Sequence, residues 1–251
     1  VISAFKQVFN YLMIEYSELE MSITFESAIK KQSIKGLPSF EFLFKEVSCQ
    51  QGIPDFVGLP SAKFIQAYDF SNLSSTESSS IILSLLKHKA GRRKSYIKKK
   101  TNISDATLNR VLRELQSNNF ILERNNLYYL SVENVPTTDT IWAFELKLSN
   151  WKRALFQALQ YKAFANYSVV VFPFEKEKVL RQNLSTFTEF NVGVLLFDSK
   201  SQKAKWLRRP QKEKPISKWQ TLFLLGKISK QHSEEISLLQ NTETPQPADH
   251  S

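Results

Sequence analysis

Two hydrophobic periods run along this chain, and the places where one replaces the other divide it. Up to residue 35 apolar positions recur at helical spacing: Phe5, Val8, Phe9, Leu12 and Met13 form one stripe, Ile23, Phe25, Ala28 and Ile29 a second. This predicts helices that end before Gly36-Leu37-Pro38. Phe40 to Ser48 and Gly52 to Leu59 then read as strands. Strand character returns at Thr140 to Leu148, followed by a helix over Trp151 to Tyr161. A strand Tyr167 to Phe174, a charged helix from Glu175, a strand Val192 to Phe197 and a short strand around Lys205 to Leu207 come next. A helix with Trp219, Leu222, Phe223 and Leu225 ends the series, and the polar residues after it are expected to be disordered.

Between 61 and 139 the character changes. A Ser-rich bridge, Ser71 to Ser80, leads to an amphipathic helix with Ile81, Ile82, Leu85 and Leu86, and Tyr96 and Ile97 anchor a second, short one. Asn102-Ile103 make a turn into a third helix, with Ser104 as N-cap and Leu108, Val111, Leu112 and Leu115 as its buried stripe. Phe120 to Leu130 reads as two strands around Asn125-Asn126. Three helices followed by a hairpin resemble a winged helix-turn-helix.

Composition narrows the partners. The 42% hydrophobic and 23% charged content is ordinary for a globular protein. There is no apolar run of membrane-spanning length and no signal-peptide pattern, so no membrane partner and a cytoplasmic location are expected. A single cysteine, Cys49, rules out an internal disulfide, and the scatter of the three histidines argues against a histidine metal site. The net charge of +10 favours a polyanion. Eight basic residues and no acid lie between Lys87 and Lys100. Of these Arg92, Arg93, Lys94, Lys98, Lys99 and Lys100 are candidates for phosphate contacts, where a helix-turn-helix crosses the DNA backbone. Thr107, Asn109, Arg110 and Arg113 on the third helix are types that reach base edges. The bland reading of the run is a solvated face. A second basic stretch, Lys200 to Lys218, fits either a duplex-lining wall or a solvated hairpin and linker.

The candidate chemistry lies in Trp142-Ala-Phe-Glu145-Leu146-Lys147-Leu148. Glu145 and Lys147 are two apart and share one face of a strand, where a buried charged pair is expensive unless it is used. Asp55, in Ile53-Pro54-Asp55-Phe56-Val57, is a second carboxylate in an apolar segment. On the following helix Gln157 and Tyr161 are four apart, hence on one face. Pro54-Asp55, Glu145-Leu146-Lys147 and Gln-x-x-x-Tyr, in that order, resemble the PD-(D/E)XK nuclease superfamily, in its RecB-like branch.

The resemblance implies an α/β, restriction-endonuclease-like mixed-sheet core with helices on both faces, whose motif halves lie on adjacent strands. The halves are 90 positions apart here, so the core would be split into 1–60 and 140–230 around an inserted winged-helix domain, 61–139, with a polar tail, 231–251. It further implies that Asp55, Glu145 and the Leu146 carbonyl hold Mg²⁺ or Mn²⁺, that Lys147 orients the attacking water, and that Gln157 and Tyr161 face the site. Glu26 is the candidate acid from the early helix. The expected activity is metal-dependent DNA endonuclease cleavage, with homodimerisation for double-strand cuts. Two alternatives stand beside it: a non-catalytic DNA-binding or regulatory protein on the same scaffold, and a nuclease acting on RNA or branched DNA.

Overall fold

The computed structural model describes residues 18–61, 76–131 and 140–242. The expected helix through Phe5 and Met13, the residues Ser71 to Ser75 and the tail beyond 242 lie outside them. The chain is mixed α/β and divides into two compact units, 1–62 with 138–217, and 63–137 with 218–251. Among the described residues no helix is long and apolar enough to cross a membrane.

The first unit is built on a mixed six-stranded sheet. Its strands are β1 (Phe42–Lys45), β2 (Phe56–Leu59), β6 (Trp142–Leu146), β7 (Tyr167–Phe172), β8 (Gly193–Phe197) and β9 (Ala204–Arg208), which lie side by side in that order. β1, β2 and β6 are antiparallel neighbours, β6, β7 and β8 are parallel, and β9 closes the edge antiparallel to β8. The inner strands are apolar at successive positions because both faces are covered, as buried parallel strands require. Met21, Phe25, Ala28 and Ile29 of helix α1 (18–30) pack on one face against Phe56, Phe144, Val169 and Val171. Ala154, Leu155 and Ala158 of helix α5 (Trp151–Tyr161) pack on the other against Val170 and Phe172, together with Leu180 and Phe187 of two short helices, α6 (Glu177–Gln182) and α7 (Leu184–Glu189).

The second unit contains helices α2 (Glu77–Leu85), α3 (Lys94–Thr101) and α4 (Asp105–Ser117), and a three-stranded antiparallel sheet in the order β3 (Arg92–Arg93), β5 (Leu127–Leu130), β4 (Ile121–Arg124). Local chemistry sets its turns. Ser104 Oγ accepts from Thr107 N–H as the expected N-cap of α4. Asn102 ends α3 in the left-handed region, and Asn125 and Asn126 join β4 to β5 with φ of 51° and 59°, the geometry that two-residue hairpins require.

The structure corrects the expected boundaries. Helix α8 (Lys218–Thr242) packs against α2 and belongs to the second unit rather than closing the sheet domain. Its buried Leu222, Leu225 and Ile228 are an apolar face that sequence periodicity reveals without naming what covers it. The helix also runs twelve residues into the stretch expected to be an irregular tail, 231–251, ending at Thr242. Asp55 precedes β2 instead of lying within it, and a short strand, β3, interrupts what read as loop and helix in the basic run.

Candidate functional site

The two segments that carry the candidate acids meet at one end of the sheet. β2 and β6 pair with Phe56 opposite Phe144 and Val57 opposite Ala143, and continuing that register one step sets Asp55 opposite Glu145. Strand alternation then decides the faces. Phe144 and Leu146 point into the α1 core, so Glu145 and Lys147 project toward the face covered by α5. Leu146 N–H donates to Asp55 Oδ2 at 2.6 Å, which holds the Asp55 carboxyl over the end of β6. The C-terminal ends of parallel strands, where this centre sits, are where open α/β sheets gather their ligands.

Glu145 is almost fully enclosed, 1% exposed, and both its oxygens are engaged. Lys147 Nζ is 2.7 Å from Oε1, and the Tyr161 hydroxyl donates to Oε2 while lying 3.1 Å from the Ile53 carbonyl. Tyr161 reaches this position because α5 starts abruptly after β6. Asn150 takes a left-handed conformation and caps Arg153 N–H, so the helix turns straight back over the strand that carries Glu145. The segment before Asp55 is shaped to the same tyrosine. Cys49 and Gly52 exchange main-chain hydrogen bonds across a tight turn, and a Cβ on Gly52, at φ +126°, would lie 3.3 Å from the Tyr161 ring. Only glycine combines that backbone with that contact easily.

The electrostatics follow from burial. The Asp55 carboxyl is pushed up to about 7, first by desolvation and then by the Glu145 carboxylate, against the opposing pull of the Leu146 hydrogen bond and Lys147. Burial and the Glu145 charge hold the Tyr161 hydroxyl far above the usual phenol range, so it stays a donor. Burial pulls the Lys147 ammonium down, but the hydrogen bond to Glu145 and the attraction of Glu145, Asp55 and Glu18 together outweigh it, and the net shift is upward. The centre is therefore two crowded carboxylates with one ammonium, and an under-compensated negative charge of this kind suits a divalent cation. Among the described residues no group of three or more His, Cys, Asp and Glu side chains is arranged to hold a metal. The donor set is two carboxylates and the neighbouring main chain.

The remaining expected residues divide. Gln157 lies one turn before Tyr161, and its Oε1 is buried without a partner among the described residues. Glu26 is not drawn into the carboxylate centre. It pairs with Lys30 at 2.7 Å and with Lys45, and these cations lower its carboxyl although burial would raise it. The α1 acid within electrostatic reach of both Asp55 and Lys147 is Glu18, which sequence reasoning missed. Its signal was available only as helix phase relative to Met21 and Phe25, and that phase says nothing about which end of the helix meets the site.

In the second unit Arg93, Lys94, Lys98, Lys99 and Lys100 are exposed on α3 and its approach, with Arg92 half-buried. Lys98 pairs with Asp105. On α4, Arg110 pairs with Glu114 at 2.6 Å, Arg113 Nε donates to the Asn109 carbonyl, and Thr107 bonds Ser104, with Asn109 half-buried. Several cations of the stretch 200–218, by contrast, are tied into the first unit. Lys205 pairs with Glu177, Arg208 donates to Val192 and Asn191, and Lys212 donates to Thr140.

Compared with known proteins, the chain has no significant match: no family model, no curated protein and no solved structure.

Proposed function

We propose that the first unit is a metal-dependent phosphodiesterase of the PD-(D/E)XK kind, with a restriction-endonuclease-like core, and that it cuts DNA. The observation that carries this reading is the hydrogen bond from Leu146 N–H to Asp55 Oδ2. It joins the two motif halves, from the residue just ahead of β2 to the end of its paired strand β6, between Glu145 and Lys147. A Mg²⁺ or Mn²⁺ ion held by Asp55, Glu145 and the Leu146 carbonyl would supply Lewis-acid stabilisation of the phosphoryl group and a more acidic water. The chain's own residues prepare for that role. Tyr161 fixes the orientation of Glu145 and excludes water from its inner oxygen. Lys147, partly exposed at 19%, can leave Glu145 to hold a water or a phosphate oxygen where charge develops. Gln157, whose buried Oε1 has no partner among the described residues, offers an acceptor for a substrate or water N–H or O–H group.

For the second unit we read a winged helix that holds the DNA. Its order of helix, strand, helix, helix, strand, strand, the hairpin turned by Asn125-Asn126 and the exposed cations of α3 support this. The deciding experiment is incubation of purified protein with supercoiled plasmid, with Mg²⁺, with Mn²⁺ and with chelator. Nicking or linearisation that requires the ion and disappears in Glu145→Gln supports the proposal. Intact plasmid under every condition, with duplex still bound, would favour the non-catalytic reading.

A further inference from the structure

Beside α3, in the second unit, lies a cleft of about 430 Å³ lined by Arg92, Arg93, Lys99, Ser95, Tyr96 and Leu127. Three of these are cations, and among the described residues no acid lines it. Among the described residues Lys98, just outside the cleft, has Asp105 for a partner, whereas Arg92, Arg93 and Lys99 have no carboxylate. Uncompensated like charges around one concavity repel each other unless an anion enters.

The Arg92 side chain is placed rather than loose. Its backbone is held in β3 opposite Tyr128, and its guanidinium lies over the Tyr96 ring at 5.1 Å. Stacking on an aromatic face leaves the in-plane donors of a guanidinium free for a forked contact with an oxyanion. Arg92 Nε is buried with no partner among the described residues. The wall behind is packed as tightly as it can be, since a Cβ on Gly91 would fall 2.5 Å from the Tyr129 ring. Tyr96, 38% exposed, and Leu127 add an aromatic and an apolar surface next to the cations. The cleft is several times the size of a phosphate group, which leaves room for a group attached to the phosphate.

We propose that this cleft binds a nucleotide, with its phosphate on Arg92, Arg93 and Lys99 and its sugar or base against Tyr96 and Leu127. The proposal rests on the reading of the second unit as a nucleic-acid module. The phosphate is that of a nucleotide within a strand, at its 5′ end, or free.

The test uses the full chain and four probes: a short labelled single strand with and without a 5′-phosphate, the corresponding duplex, and adenosine monophosphate. Arg92→Gln should weaken binding roughly tenfold or more, the range of one charge-assisted contact. It should also flatten the salt dependence by about one phosphate, a slope change near 0.7 for the single strands and near 0.9 for the duplex. Lys100→Gln, outside the cleft, should weaken strands only severalfold. Tyr96→Leu and Arg92→Lys, which respectively remove the stacking ring and keep the charge without the fork, should fall between, and they carry the test if thermal melting shows Arg92→Gln to be unfolded. A 5′-phosphate preference lost in Arg92→Gln would assign the cleft to strand ends, equal loss on every strand to internal phosphates, and loss of adenosine monophosphate alone to a free nucleotide. Strand binding that is the same in the cleft variants as in Lys100→Gln, with no effect on adenosine monophosphate, overturns the cleft while leaving the nucleic-acid reading standing. Arg92-dependent binding of adenosine monophosphate with no strand binding keeps the cleft and overturns that reading. Failure of the wild type to bind any of the four overturns both.

Discussion

Asp55 and Leu146, 91 positions apart, are joined by a hydrogen bond of 2.6 Å from the Leu146 main chain to the Asp55 carboxylate. The bond does two things at once. It anchors the segment ahead of β2 to the end of β6, and it brings a second carboxylate beside Glu145.

That crowding makes a pH prediction. The Asp55 carboxyl titrates near 7 in the folded chain against 3.8 unperturbed, so the stability it confers when protonated is fully present below about pH 3.8 and lost as pH rises through 7. A shift of this size has a ceiling of about 4 kcal/mol, which solvent screening of a partly exposed carboxyl reduces to roughly 2. Asp55→Asn keeps an acceptor for Leu146 N–H and removes the charge. Without metal it should be more stable than wild type at pH 8 and no more stable at pH 4, measured by denaturant titration. Equal differences at both pH values would refute the crowding.

Removing chemistry should not remove binding. Glu145→Gln and Lys147→Ala should each lower metal-dependent plasmid nicking by at least about a hundredfold, the scale for loss of one charge-stabilising group, with DNA affinity little changed. Either variant cutting at the wild-type rate would sink the assignment of these residues.

Tyr161→Phe leaves a buried Glu145 oxygen without its donor. It should cost about 1–3 kcal/mol in stability and lower nicking through misorientation of Glu145 rather than through its loss. A melting temperature and a nicking rate both equal to wild type would show that the hydroxyl contributes nothing.

Ser168 gives the opposite case. It lies 2% exposed in β7 opposite Ala143, and its hydroxyl has no partner among the described residues. Ser168→Ala should be neutral or stabilising by up to about 1 kcal/mol, because it removes a desolvated group and leaves almost no cavity. A clear drop in the denaturant midpoint would contradict this.

The second unit should need its C-terminal helix. Residues 76–131 expressed alone should melt with low cooperativity, because the face of α2 that meets α8 is left open. The same piece linked to 218–242 should melt cooperatively and at higher temperature. Identical melting of the two would mean that α8 is not part of that unit's core.

What the sequence determined by itself is what local geometry transmits. Period two sets Glu145 and Lys147 on one face of β6, period 3.6 sets Gln157 and Tyr161 on one face of α5, and Ser104, Asn125 and Asn126 cap and turn the chain through their own short side chains. Tertiary structure decided whatever depends on which surfaces meet. An amphipathic stripe announces that α8 buries a face, but only packing reveals that α2 receives it. A helix carrying Glu18 and Glu26 presents two acids, and only the position of α1 on the sheet sends Glu26 to Lys45 and brings Glu18 within reach of Asp55. Basic residues count equally along a sequence, yet Lys205 and Arg208 are bound within the sheet unit while Arg92, Arg93 and Lys99 surround a cleft. The physical reason is common to all three. Backbone periodicity is a property of neighbours along the chain, whereas the partner of a charge or an apolar face is chosen by elements that are distant in sequence.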